Sequence, residues 1–146
     1  MKTAIIFASR HHGNTRKLVE AIARQHQVVT IDVRLQSQAD LSEYDLIGVA
    51  SGIDFGRFYK PVEFFLLNHL PENKRVFFLY TCGNLRKGFT DRIKACVLEK
   101  GSIPVGEYGC PGFNTYGPLQ WIGGINRGRP SEEDCAAAVR FYESLL

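Results

Sequence analysis

Thr3-Ala4-Ile5-Ile6-Phe7-Ala8-Ser9-Arg10-His11-His12-Gly13-Asn14-Thr15 is the stretch on which the fold turns. An apolar, β-branched run ends in a loop carrying hydroxyls and a glycine, and passes at once into a helical pattern over Thr15–Gln25. In that pattern Leu18 with Ile22, and Val19 with Ala23, keep the four-residue spacing of one buried face. A buried strand feeding a helix through so short a loop opens a parallel α/β fold. The loop is also an anion seat. Its backbone N–H groups converge, the helix dipole adds positive charge, and Ser9 and Thr15 bring hydroxyl donors. A phosphate is the expected occupant.

The same alternation runs through the rest of the chain. Strand signals fall at Thr3–Ala8, Val28–Val33, Leu46–Ser51, Val76–Thr81 and Ile103–Tyr108, and helical ones at Thr15–Gln25, Pro61–Leu70, Thr90–Lys100 and Ser131–Leu146. Pro61 suits a first helical turn. Pro130 followed by Ser131-Glu132-Glu133-Asp134 is a capping signature with acid in the first turn. Continuous apolar strands separated by helices point to a parallel sheet covered on both faces. The expected fold is α/β, a doubly wound five-stranded parallel sheet in the order 2-1-3-4-5, as one domain over residues 1–146. In that order ligands bind outside the carboxyl ends of the strands, where strands 1 and 3 part.

The connections divide accordingly. Arg34–Glu43, after the second strand, has neither glycine nor aromatic. The third strand is followed by Gly52-Ile53-Asp54-Phe55-Gly56-Arg57-Phe58-Tyr59, and the fourth by Cys82-Gly83-Asn84-Leu85-Arg86-Lys87-Gly88. Glycines at 52, 56 and 83 allow backbone to approach a flat ligand on which Phe55, Phe58 or Tyr59 stacks. The ordinary alternative is that these aromatics pack locally against the sheet edge. The long connection Gly109–Arg129 is expected to extend or flank the fifth strand in part and to lie over the ligand edge in part.

With 146 residues, 45% hydrophobic and 23% charged, the chain is an ordinary globular one, without an apolar run of membrane-spanning length. A net charge of +3 is too mild to argue for nucleic acid. Cys82, Cys96, Cys110 and Cys135 lack metal-ligand spacing and read as small buried residues in a reduced compartment, with the cytoplasm the expected location. Cys82 alone, between a strand and a glycine, is expected near a ligand. Basic residues gather at the loops: Arg10, Arg57, Lys60, Arg86 and Lys87 all fall in connections or helix starts.

Several phosphate chemistries are excluded. There is no G-x-x-x-x-G-K-[ST], and the first loop lacks the G-x-G-x-x-G of dinucleotide sites. A phospho-receiver needs acidic residues where this strand ends in Ala8-Ser9, and a low-molecular-weight phosphatase needs a cysteine in the first loop. A phosphate beside a flat aromatic system remains.

At this point the chain resembles the flavodoxins. His12-Gly13-Asn14-Thr15 matches the end of their phosphate loop. Ser51-Gly52-Ile53 with Phe55-Gly56, and Gly112-Phe113-Asn114-Thr115 with Gly123-Gly124-Ile125-Asn126-Arg127-Gly128-Arg129-Pro130, are similar to a bacterial group of short-chain flavodoxin-like proteins. The resemblance implies FMN as cofactor, with phosphate contacts from Ser9, His11, Asn14 and Thr15 and backbone donors at His12 and Gly13. It implies ring contacts from Gly52, Ile53, Asp54, Phe55 and Gly56 beside Ser51, and from Thr81, Cys82, Gly83 and Asn84. Taken alone, His11 and His12 read as solvated loop histidines.

By the same resemblance the protein is an electron carrier cycling its flavin between oxidised, semiquinone and hydroquinone states. Gly52 and Gly56 are both candidates for the peptide that turns toward the flavin. The basic loops imply a redox partner with an acidic docking surface, with no nucleic acid and no membrane insertion. The alternative is an FMN-dependent oxidoreductase, a quinone reductase or an enzyme resembling the flavodoxin-like protoporphyrinogen oxidases, acting on a small anionic substrate. A flavin-free binding module is the third reading.

Overall fold

β1 (Thr3–Ala8) is buried at every position, the mark of a central parallel strand. The computed structural model describes residues 1–115 and 117–146, and of His11 the backbone alone. Around β1 follow α1 (Asn14–Gln25), β2 (Val28–Asp32), β3 (Leu46–Asp54), β4 (Arg57–Phe58), α2 (Lys60–His69), β5 (Arg75–Cys82), α3 (Asp91–Glu99), β6 (Ile103–Pro111) and α4 (Glu132–Glu143). The sheet order is β2-β1-β3-β5-β6, all neighbours parallel, with β4 antiparallel to β3. The expected five-strand order is thus present, with one short strand added.

That addition is a correction. The residues after Ser51, expected as a glycine-aromatic loop, carry β3 on to Asp54 and return through β4, with Asp54 opposite Arg57. The two turn residues, Phe55 (φ 53°) and Gly56 (φ 78°), both have positive φ, the geometry of a type I′ hairpin turn. Phenylalanine rarely accepts that conformation, which costs about 1–2 kcal/mol. Ser51 holds the hairpin shut from below. Its buried hydroxyl donates to the Gly52 carbonyl (2.6 Å) and accepts from the Tyr59 N–H (2.9 Å).

Alternate strand positions fill two cores. Ile6, Val49 and Phe78 face α2 and α3 through Val62, Leu66, Ile93 and Val97. Ile5, Phe77 and Leu79 face α1 and α4 through Val19, Ile22, Val139 and Tyr142. Burying each such side chain is worth about 1.5–3 kcal/mol, and truncating Phe77 or Phe78 to alanine costs about 3–5 kcal/mol. This slab fixes the carboxyl ends of β1, β3 and β5 side by side. Among the described residues no helix is long and apolar enough to cross a membrane.

The long connection after β6 is built rather than slack. β6 runs on to Pro111, Asn114 bridges Ile125 in antiparallel fashion, and a short 3-10 turn spans Gly117–Ile122. Tyr116 lies outside the described residues.

Candidate functional site

A cleft of about 130 Å³ opens above the carboxyl ends of β1, β3 and β5. Asn14 and Thr15 line it from the start of α1, Gly52, Ile53 and Asp54 from β3, and Thr81, Cys82 and Gly83 from β5. Those expected residues therefore come together. Ser9, Phe55 and Gly56 lie outside the lining, Ser51 is turned into the hairpin, and Asn84 is exposed. The His11 side chain lies outside the described residues.

The loop into α1 accounts for the shape. His12 (φ 61°) and Gly13 (φ 65°) are both left-handed, and the helix begins at Asn14. Its N-cap residue, Gly13, offers no side-chain cap and no acid stands in its first turn; Arg16 and Lys17 stand there instead. Cations at a helix N-terminus oppose its dipole. Ser9 Oγ accepts from the Arg16 N–H at 3.2 Å, leaving the Ser9 hydroxyl proton to donate. Thr15 and Thr81 share one hydrogen bond at 2.9 Å. Two hydroxyl protons and one mutual bond leave one proton for an occupant.

Asn14 changes its expected role. Its Nδ2 donates to the Phe113 carbonyl at 2.8 Å, and its Oδ1 is buried without a partner. A phosphate dianion has no proton to give that oxygen, whereas a hydroxyl does. His12 is also diverted. Its Nε2 meets Thr115 Oγ1 at 3.0 Å and its ring packs on Phe113, centroids 4.3 Å apart.

Arg10, Tyr59, Gly112, Phe113 and Asn114 complete the lining. Tyr59 lies over Gly52 so closely that a Cβ there would sit 2.2 Å from its hydroxyl, and the Arg10 guanidinium stacks on its ring at 4.4 Å. Gly52 is thereby packed under Tyr59, whereas a Cβ at Gly56, at the hairpin turn, would meet only Arg86 Nη2 at 3.4 Å. Gly112 has a similar reason to be glycine, since a Cβ would fall 2.6 Å from Asn14 Nδ2. The signal for Gly112, Phe113 and Asn114 stood in the sequence as a motif, but nothing local said that the connection folds back onto the first loop. Asn126 shows how it does. Its Nδ2 donates to the Gly83 carbonyl (2.8 Å) and the Gly112 carbonyl (3.3 Å), stapling the connection to the end of β5.

The cysteines are all free. Burial pushes the Cys82 thiol up to about 11, so it lines the cleft as a neutral group and offers no thiolate nucleophile. Burial also raises the Tyr59 phenol, with Arg10 opposing the shift.

The flavodoxin domain family matches residues 4–102, more than half of the chain. The chain belongs to the flavodoxin family. An uncharacterized protein of Methanocaldococcus jannaschii is 34% identical to this flavodoxin-family chain over 148 residues, covering 100% of this chain and 99% of that one. That relative is archaeal, so the expectation of a bacterial group is not borne out. An NADPH-quinone reductase from P. pentosaceus superposes with a TM-score of 0.66 at 13% identity, over 97% of each chain. A Lactobacillus acidophilus flavoprotein in complex with FMN superposes with a TM-score of 0.57 at 18% identity, over 75% of this chain and 92% of that one. At such identities these structures share the flavodoxin fold.

Proposed function

We propose that this chain binds FMN in the cleft and works as an electron-transfer protein. One observation carries the reading: α1 begins at a glycine N-cap with cations and no acid in its first turn, at a cleft where Asn14 Oδ1 is a buried acceptor without a donor. FMN brings a phosphate for the helix end, a polyol whose hydroxyls donate to an orphan acceptor, and a ring for the Tyr59 and Phe113 walls. It supplies reversible one- and two-electron chemistry when bound.

In this reading Ser9, the spare proton of the Thr15–Thr81 pair and the backbone at His12 and Gly13 hold the phosphate. Asn14 accepts from the polyol. Gly52, Ile53, Asp54, Cys82 and Gly83 flank the ring, and the Phe55–Gly56 peptide is the one to turn toward it. Among the described residues Arg57, Lys60, Arg86 and Lys87 make no ion pair. Together with exposed Phe55 (95%) and Leu85 they form a basic, partly apolar face suited to an acidic redox partner. Free, buried cysteines support a reduced compartment, the cytoplasm.

Fluorescence titration tests the binding. FMN is expected to be quenched on saturable binding, and riboflavin, lacking the phosphate, to bind at least about 100-fold more weakly. Equal affinity for the two would remove the anion seat from the account, and no quenching would remove the flavin. The second reading, an FMN-dependent oxidoreductase, is favoured by a cation-lined cavity adjoining the cleft. Turnover between a nicotinamide donor and a quinone, without a partner protein, separates enzyme from carrier.

A further inference from the structure

On the far side of Arg10 from the cleft lies a second cavity of about 430 Å³, sharing Arg10 and Asp54 with it. Its volume falls within the range of about 300–1,000 Å³ usual for small-molecule sites. Arg10, Arg57 and Lys60 line it, and Phe55, Phe58 and Pro61 supply apolar wall. Asp54 is the acid in the lining. It stands directly opposite Arg57 in the hairpin ladder, yet the two form no ion pair, and among the described residues neither Arg10 nor Lys60 has a carboxylate partner.

Some cations of the molecule are matched with carboxylates, such as Arg16 with Asp32, Arg92 with Glu63, Arg129 with Asp134 and Arg140 with Glu133, and others, such as Arg86 and Lys87, stand singly among the described residues. Here cations from three separate segments, the first loop, β4 and α2, surround an apolar wall and are left unmatched. A bare phosphate needs donors converging on one point. Cations set apart around an apolar wall match a ligand with an apolar body and carboxylates set apart on it.

We propose that this cavity binds a small polycarboxylate, held by Arg10, Arg57 and Lys60 beside the flavin cleft. Binding rests on the cavity alone; only the ligand's service as a substrate rests on the flavin reading.

Trimesate, a benzenetricarboxylate, is the probe, titrated calorimetrically into the full chain with and without FMN at low ionic strength. One saturable site is expected, at least about tenfold tighter than benzoate, because charge-assisted hydrogen bonds are each worth about a tenfold change or more. The pair Arg57→Gln/Lys60→Gln is expected to weaken trimesate at least about tenfold while FMN affinity stays within about threefold. Arg24→Gln/Arg140→Gln removes the same charge from exposed positions of α1 and α4 and should leave trimesate binding within about twofold. Lys60→Gln alone, at an exposed position, serves if the double variant misfolds and should weaken trimesate by severalfold. Equal losses in the two charge pairs, displacement of FMN by trimesate, or no saturable binding would overturn the proposal. So would a hexaglutamate peptide that binds where trimesate does not. A chain that binds trimesate but no FMN refutes the flavin reading and keeps this site; one that binds FMN but no trimesate refutes this site alone.

Discussion

The N-termini of α1 and α4 solve the same problem in opposite ways. A helix start presents N–H groups with no intrahelical acceptor and a positive dipole end. At α4 the chain supplies the answer itself: Ser131 Oγ accepts from the Asp134 N–H, Asp134 accepts from the Ser131 N–H, and Glu132 and Glu133 complete an acidic first turn. At α1 the N-cap residue is Gly13, which has no side chain to give, Ser9 Oγ accepts from the Arg16 N–H alone, and Arg16 and Lys17 occupy the turn where α4 has acids. One end is self-sufficient, and the other is the end at which the proposed anion would sit.

The comparison breaks most visibly if α1 is given an acid. Asn14→Asp places a carboxylate at the first residue of α1, beside the proposed anion seat, and removes the amide that donates to Phe113. FMN affinity is expected to fall about 100-fold, about 3 kcal/mol, in a fluorescence titration. Unchanged affinity would mean that the helix end is not the anion seat. Removing α4's answer should act on stability instead. Asp134→Ala strips the capping box and leaves Arg129 unpaired, for a loss of about 2 kcal/mol and a melting temperature lower by about 5 °C, with FMN affinity unchanged.

Acid should tell the two ends apart as well. Hydrogen bonding from Arg129 holds the Asp134 carboxyl below its ordinary value, against some burial penalty. A carboxyl whose folded value is depressed stabilises the fold above its unfolded value, near 3.8, and that stability drains away as pH falls through the folded value. Apo-protein stability should therefore decline as pH drops below about 5, and Asp134→Asn should flatten that decline, read from denaturant midpoints. The smallest effect concerns Arg86, whose Nη2 lies near Gly56 of the hairpin turn and whose guanidinium stacks on Phe89. Arg86→Gln should make the potential of the reduced flavin more negative by on the order of 20 mV, where 59 mV is a tenfold change for one electron. An unchanged potential, or a shift of the opposite sign, would show that this charge does not act on the ring as expected.

Much of this was readable in the chain. Strand 1, the four helices within a residue or so at most ends, and the sheet order follow from apolar runs alternating with helical spacing, because burial on both faces leaves a parallel strand no other pattern. The hairpin at 55–56 was not readable. Phe-Gly is not a usual turn pair, and its positive φ values are imposed by tertiary context: Ser51 holds the Tyr59 backbone and Tyr59 covers Gly52. Half of the cleft's walls were legible as glycine loops at strand ends. Phe113 and Asn114 were not, because their placement depends on contacts about a hundred residues apart in sequence, such as Asn14 with Phe113.

The Asn126 staple carries one more consequence. It joins Gly83, at the β5 end of the cleft, to the same backbone that reaches Asn14 and His12 at the α1 end. The two jaws of the site are thus a single mechanical part. A substitution that loosens one jaw is transmitted to the other, so selection on ligand preference at either end acts on both together.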